Sequence, residues 1–176
     1  SALALGADRA LHINTESQLE PLCIAKVLHT LVQQEQPQII LLGKQSIDGD
    51  HNQTGQMLAA LCGYPQGTFA SRIECSGDEI RVTRELDGGL QTLALKLPAV
   101  ITADLRLNQP RYPTMPNIMR ARQKPLVVTE LADLALDLQP RLQILSVDAP
   151  KSRQQGTKVN SVTELVDKLG QKAKVL

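Results

Sequence analysis

Four consecutive apolar residues, Ile39-Ile40-Leu41-Leu42, stand between two helical patterns. Ahead of them Leu19, Cys23, Val27 and Leu31 recur every fourth residue, with Leu22, Leu28 and Val32 widening the stripe until Pro37 ends it. Behind them Gly43 opens a polar loop, and Asn52-Gln53-Thr54 precede a second apolar helix through Leu61. A further short strand is expected over Arg9 to Ile13, with Asn14-Thr15-Glu16-Ser17 offering cap candidates for the first helix. Strand, helix, strand, loop, helix implies parallel strands, because parallel neighbours need a crossover of about a dozen residues. The expected class is α/β, Rossmann-like, with a mostly parallel sheet flanked by helices.

From Thr68 the texture changes to alternating β-favourable and polar residues, punctuated by Ser76-Gly77-Asp78 and Asp87-Gly88-Gly89. That pattern reads as a meander of hairpins. Pro110, Pro113, Pro116 and Pro125 then break up residues 108–125, leaving extended chain with one short helix near Ile118. A structureless stretch beyond about 12–15 residues is usually functional or disordered. Leu142 to Val147 is strand-like, Ala149 to Lys158 a polar linker, and Asn160 to Leu169 a capped terminal helix forming an extended C-terminal arm. The expected organisation is a nucleotide-binding α/β domain over 1–147 and a C-terminal segment over 148–176.

Charge excludes some partners. Nineteen Lys and Arg against 18 Asp and Glu leave a formal charge of +1, so no net field favours nucleic acid or an anionic membrane. Three aromatic residues and no Trp leave little to stack on bases, and no nucleic acid partner is expected. No apolar run approaches the roughly 18 residues of a membrane span, so an integral membrane protein is not expected. Three scattered cysteines suit a reducing compartment, and His12, His29 and His51 lack metal-ligand spacing. No catalytic or metal residues are expected. The abrupt opening, Ser1-Ala2-Leu3-Ala4-Leu5-Gly6, reads as the end of a helix whose start is missing.

The loop after Leu42 is the natural ligand site, since crevices at the carboxyl ends of parallel strands hold ligands. Gly43 and Gly49 allow close backbone approach, Asp48, Asn52, Gln53 and Thr54 offer hydrogen bonds, and the following helix presents N-H groups to an anion such as phosphate. The GxxxxGK[ST] phosphate loop is absent, which argues against a catalytic NTPase. An ordinary polar connection is the alternative.

Three motifs make the chain recognisable: GKQSIDGDHNQTGQM, the run Arg84-Glu85-Leu86-Asp87-Gly88-Gly89, and LPAVITADLRLNQPRYPTMPNIMRARQKP over residues 97–125. Together, with ALALGADRA near the start and VTELVDKL near the end, they resemble the beta (small) subunit family of electron-transferring flavoprotein. The resemblance implies a heterodimer with a larger alpha subunit, one redox-active FAD held mainly by alpha, and one structural AMP buried in beta. It places AMP on Gly43, Lys44, Gln45, Ser46, Ile47, Asp48, Gly49, Asp50, His51, Asn52, Gln53 and Thr54, with Gly49 standing where relatives commonly carry Asp.

It also places Glu85 near the flavin, facing an alpha-subunit arginine. The segment Tyr112, Pro113, Thr114, Met115, Pro116, Asn117, Ile118 and Met119 matches the family's recognition loop, with Met115 at the usual Leu anchor and Arg120, Arg122 and Lys124 as a basic flank. Implied partners are acyl-CoA and related dehydrogenases as donors, as in fatty acid β-oxidation, and the electron-transferring flavoprotein-ubiquinone oxidoreductase as acceptor. The compartment would be bacterial cytoplasm or mitochondrial matrix. The C-terminal segment would contact alpha, and family members begin well before the residue matching Ser1. The alternatives are a specialised nitrogen-fixation or bifurcating beta paralogue, and a nucleotide hydrolase holding Mg²⁺ on Asp48 and Asp50.

Overall fold

The structure is a computed structural model and describes residues 1–153 and 155–173. The chain divides into two compact units, Ser1–Arg141 and Leu142–Leu176.

In the first unit a short helix α1 (Ala2–Leu5) leads through Gly6 to β1 (Ala10–Asn14). The next helix, α2 (Pro21–Glu35), starts later than the Asn14 to Ser17 cap candidates suggest: Glu20 is its N-cap and Pro21 occupies its first turn. A proline there already has the helical φ and lacks only an N-H that would have no partner. The helix ends before Pro37, with Gln36 in the left-handed region at φ 47° and its N-H on the Val32 carbonyl.

Strand β2 (Ile39–Gly43) follows, then α3 (Thr54–Cys62), then β3 (Gln66–Ser76), β4 (Glu79–Leu86), β5 (Gly89–Lys96) and β6 (Ala99–Ala103). The meander is present as expected, its hairpins turning at Gly77-Asp78 and Asp87-Gly88. The five strands form one sheet in the order β2-β6-β3-β4-β5. β2 and β3 both run parallel to β6, whereas β3-β4 and β4-β5 are antiparallel. The architecture is α/β, but this sheet is mixed rather than mostly parallel, because the hairpins that build the meander reverse chain direction at each turn. After helix α4 (Met115–Ala121), strand β7 (Leu126–Glu130) pairs in parallel with β1 as a separate two-stranded sheet.

Alternation along β2 and β6 sorts their side chains onto two faces. Ala99 and Ile101 join Ala70, Ile80, Val82 and Leu95 in one buried cluster. Ile40 and Leu42 face the other way, packing against Ala25 and Val32 of α2 and Leu58 of α3. The apolar run of β2 suggests a strand buried on both sides; it is an edge strand instead, and Leu41 is 59% exposed.

In the second unit the strand expected over Leu142 to Val147 is not formed. Apolar alternation specifies a strand only where a neighbouring edge supplies the ladder, and Leu142, Ile144, Leu145 and Val147 are instead exposed. The terminal helix does form, as α5 (Val162–Lys168), continued by a π-helical turn over Leu169–Ala173. Its cap is reciprocal: Ser161 Oγ accepts from the Glu164 N-H, and the Glu164 carboxylate accepts from the Asn160 N-H.

Candidate functional site

Strands β2 and β6 bring their carboxyl ends together beside Ala70 of β3, and the loop from Gly43 to Thr54 leaves from there. Lys44 is fixed at its start by a backbone bond from its N-H to Ala103 O at 3.1 Å. Its ammonium reaches Asp104 Oδ2 at 2.5 Å, just beyond β6. The Asp104 backbone N-H bonds Ala70 O at 2.9 Å, so one aspartate ties β2, β6 and β3 together. Its carboxyl is held below the usual range, first by the Lys44 bond and then by the Arg106 backbone N-H.

The loop is internally braced. Asp50 N-H bonds Ser46 O at 2.9 Å, Gln45 Nε2 donates to Asp50 Oδ1 at 2.5 Å, and Gln56 Nε2 donates to Asn52 Oδ1 at 3.1 Å. Asp48 accepts from Ser46 and from the Gly49 N-H, which lowers its pKa. Asp50 and Asn52 adopt left-handed φ of 50° and 49°. A Cβ on Gly49 would approach Ser46 Oγ at 3.2 Å and the His51 ring at 3.3 Å, so an Asp there would displace those side chains. Ile47 is fully exposed at the tip.

Two features leave polar groups at this end of the loop without a side-chain partner. No side chain caps α3, whose N-cap is Gln53, so its first-turn N-H groups have no side-chain acceptor there. Gln56 Oε1 is buried without a hydrogen-bond partner, and a buried orphan acceptor invites a donor such as an amino or hydroxyl group. A nucleotide supplies both the anion and the donors, so the residues present fit AMP.

Gly55 is buried and lies against β6: a Cβ there would stand 2.4 Å from Thr102 Cγ2. Thr102 Oγ1 in turn accepts from the Phe69 N-H at 3.1 Å, satisfying a backbone group where β3 bulges and Phe69 takes φ 57°. Lys44 and Arg84 each lie 6.0 Å from the centre of the Phe69 ring. A crevice of about 400 Å³ at the ends of β1 and β7 is a poor anion site by comparison, since Glu16 and Glu130 line it.

Glu85, on β4, accepts from Arg106 Nη1, and 30% of its side chain is exposed. The segment Tyr112 to Met119 is partly helical. Thr114 is the N-cap of α4 and Met115 its first residue, with Pro116 in the first turn. Met115 and Met119, one turn apart, are 70% and 54% exposed, while Ile118 is half-buried. Arg111 donates to Leu5 O at 3.1 Å, and Lys124 Nζ donates to the carbonyls of Leu3 at 3.0 Å and Ala7 at 2.6 Å. Lys124 is thus engaged with the end of α1, and the exposed basic flank is Arg120 and Arg122.

The loop, Glu85 and the Met115 segment are marked by sequence alone, whereas Asp104, Thr102, Phe69 and Gln56 are not. Asp104 carries a weak signal in standing directly after a strand; its partner Lys44 lies 60 residues away and no spacing rule links them. Among the described residues no cluster of three His, Cys, Asp or Glu could hold a metal ion, and no helix is long and apolar enough to cross a membrane. Asp48 and Asp50 both accept hydrogen bonds from the loop itself.

Acidification should test the Lys44-Asp104 pair. A carboxylate with a depressed folded pKa contributes stability that is full above its unfolded value, about 3.9, and is lost as pH falls through the folded value. The stability gap between the parent chain and Asp104→Asn in urea melts is expected to be constant from pH 7 to 5 and to shrink below about 4. A gap independent of pH down to about 2.5 would show that the pair contributes nothing through its charge.

The Electron transfer flavoprotein domain model matches residues 1–134. The beta subunit of electron transfer flavoprotein from Bradyrhizobium diazoefficiens is 52% identical over 176 residues, covering 100% of this chain and 71% of that protein. The Bos taurus beta subunit is 52% identical over 173 residues, 96% of this chain and 68% of its own length. The mitochondrial beta subunit of Arabidopsis thaliana is 52% identical over 178 residues, 100% of this chain and 71% of its own.

Proposed function

The chain belongs to the electron transfer flavoprotein family as a beta subunit, part of an electron carrier rather than an enzyme, and from that premise we propose how its surfaces divide the work. The loop Gly43 to Thr54 with the N-terminus of α3 holds one AMP, its phosphate near Lys44 and the first-turn amides, and its hydroxyl or amino groups near Gln56 Oε1. The alpha subunit that a beta subunit implies holds FAD, which supplies the electron-carrying chemistry when bound. This chain orients that partner through Glu85, turned toward an alpha-subunit arginine, and through the second unit, whose exposed Val162, Leu165 and Val166 line one side of α5.

Donor dehydrogenases, acyl-CoA dehydrogenases among them, dock on the α4 segment, and electrons pass on to the membrane quinone oxidoreductase. The bacterial cytoplasm or the mitochondrial matrix is the setting in which those partners meet. The observation that carries this reading is the pair Met115 and Met119, exposed one turn apart on a helix whose flanks are tethered to α1. Exposed methionines that can repack suit a surface meeting several partners.

Co-expression with the alpha subunit tests the reading. The purified pair is expected to show flavin absorption bands and to release about one AMP per heterodimer on denaturation, with no turnover of ATP and Mg²⁺. A colourless pair free of nucleotide would refute it.

A further inference from the structure

Four charged side chains of alternating sign connect the nucleotide loop to β4. Lys44 pairs with Asp104 Oδ2 at 2.5 Å, the Arg106 N-H bonds Asp104 Oδ1 at 3.1 Å, and Arg106 Nη1 donates to Glu85. The series Lys44⁺, Asp104⁻, Arg106⁺, Glu85⁻ therefore closes as two ion pairs in the chain alone. One end lies in the proposed phosphate site and the other on the carboxylate proposed to face the alpha subunit, so any coupling between the two ends rests on that functional reading.

We propose that this series is a pairing relay: phosphate at one end and a partner cation at the other shift every pair by one position. Lys44 turns to the phosphate, Asp104 takes the Arg106 guanidinium, and Glu85 is released to the cation of alpha. Two pairs become three, and no charge is left alone at either stage.

The middle of the series forces the shift. Only 10% of the Asp104 side chain is exposed, and its two oxygens take Lys44 Nζ and the Arg106 N-H. A carboxylate with so little exposure is destabilised by the loss of Lys44 unless another cation takes its place. Arg106 is that cation: its N-H already rests on Asp104, its charge already contributes to Asp104's lowered pKa, and its side chain is 72% exposed and free to swing. Nucleotide and alpha binding are then reciprocally coupled through Arg106.

The test is the dissociation constant of the complete beta chain and its alpha subunit, measured by calorimetry with and without AMP, for the parent, Arg106→Gln and Glu85→Gln. Arg106 is exposed and lies outside every buried cluster, so its replacement keeps the fold. In the parent, AMP is expected to tighten association about tenfold. In Arg106→Gln, Glu85 is free from the outset: association without AMP should tighten severalfold, and the AMP effect should fall below about threefold. If AMP fails to bind the parent complex, or Glu85→Gln leaves association unchanged, the functional reading falls and the relay with it. If both hold but Arg106→Gln keeps the AMP effect above about threefold, the relay alone is overturned.

Discussion

Replacing Gly55 by alanine is expected to destabilise the chain by about 3 kcal/mol, the upper part of the usual range for overpacking a buried contact. For a chain of this size that corresponds to a fall in melting temperature of roughly 6–12 °C. The new Cβ would stand 2.4 Å from Thr102 Cγ2, well inside van der Waals contact. Thr102 has little freedom to yield: it is 2% exposed and its hydroxyl is committed to the Phe69 N-H. The strain is relieved most readily by lifting the start of α3 away from β6, which also moves the N-H groups proposed to meet the phosphate.

Weakened AMP retention should therefore accompany the loss of stability. The check is specific: Thr102→Ser deletes the clashing methyl but keeps the hydroxyl. Gly55→Ala combined with Thr102→Ser should recover most of the stability in thermal melts, a strongly non-additive pair. Additive losses would show that the contact between α3 and β6 is not what positions this helix.

Gly55 also marks what the sequence can and cannot disclose. The alternation of Ile39 to Leu42 with helical stripes on either side specifies a strand between two helices, because period and length are local properties. The hairpins are legible for the same reason, each turn carrying its Gly beside an Asp. Pairing across the sheet is not. That β2 lies at an edge, and that β1 and β7 form their own pair, depends on contacts between residues far apart in the chain. The apolar residues from Leu142 to Val147 mislead for the complementary reason: a β-favourable pattern is a statement about fit to a partner edge, and no strand forms there.

The site divides along the same line. A glycine-opened loop between a strand and a helix is visible in the sequence, whereas its electrostatic anchor Asp104, its orphan acceptor Gln56 and the threonine that seats the helix become visible only once the strands are side by side.

Met115→Ala is expected to weaken docking to a donor dehydrogenase by roughly 30-fold, about 2 kcal/mol, as befits loss of a central apolar anchor. The residue opens α4 with 70% of its surface exposed, and the helix is held from both flanks by Arg111 and Lys124 on the carbonyls of α1. Its side chain is thus presented without first ordering the backbone, which keeps the entropic cost of docking low. Because Met115 touches neither buried cluster, truncation should leave melting temperature, flavin content and AMP content unchanged. Leucine at this position should dock within a fewfold of methionine, since the two fill similar volumes and such swaps usually cost under about 1.5 kcal/mol. The measurement is dehydrogenase-coupled reduction of the alpha-beta pair over a range of its concentrations. A rise in the half-saturating concentration with the maximal rate preserved identifies Met115 as a docking anchor. An unaltered concentration dependence in the alanine variant would move the docking surface elsewhere, with Met119 and the exposed Tyr112 the next residues to replace.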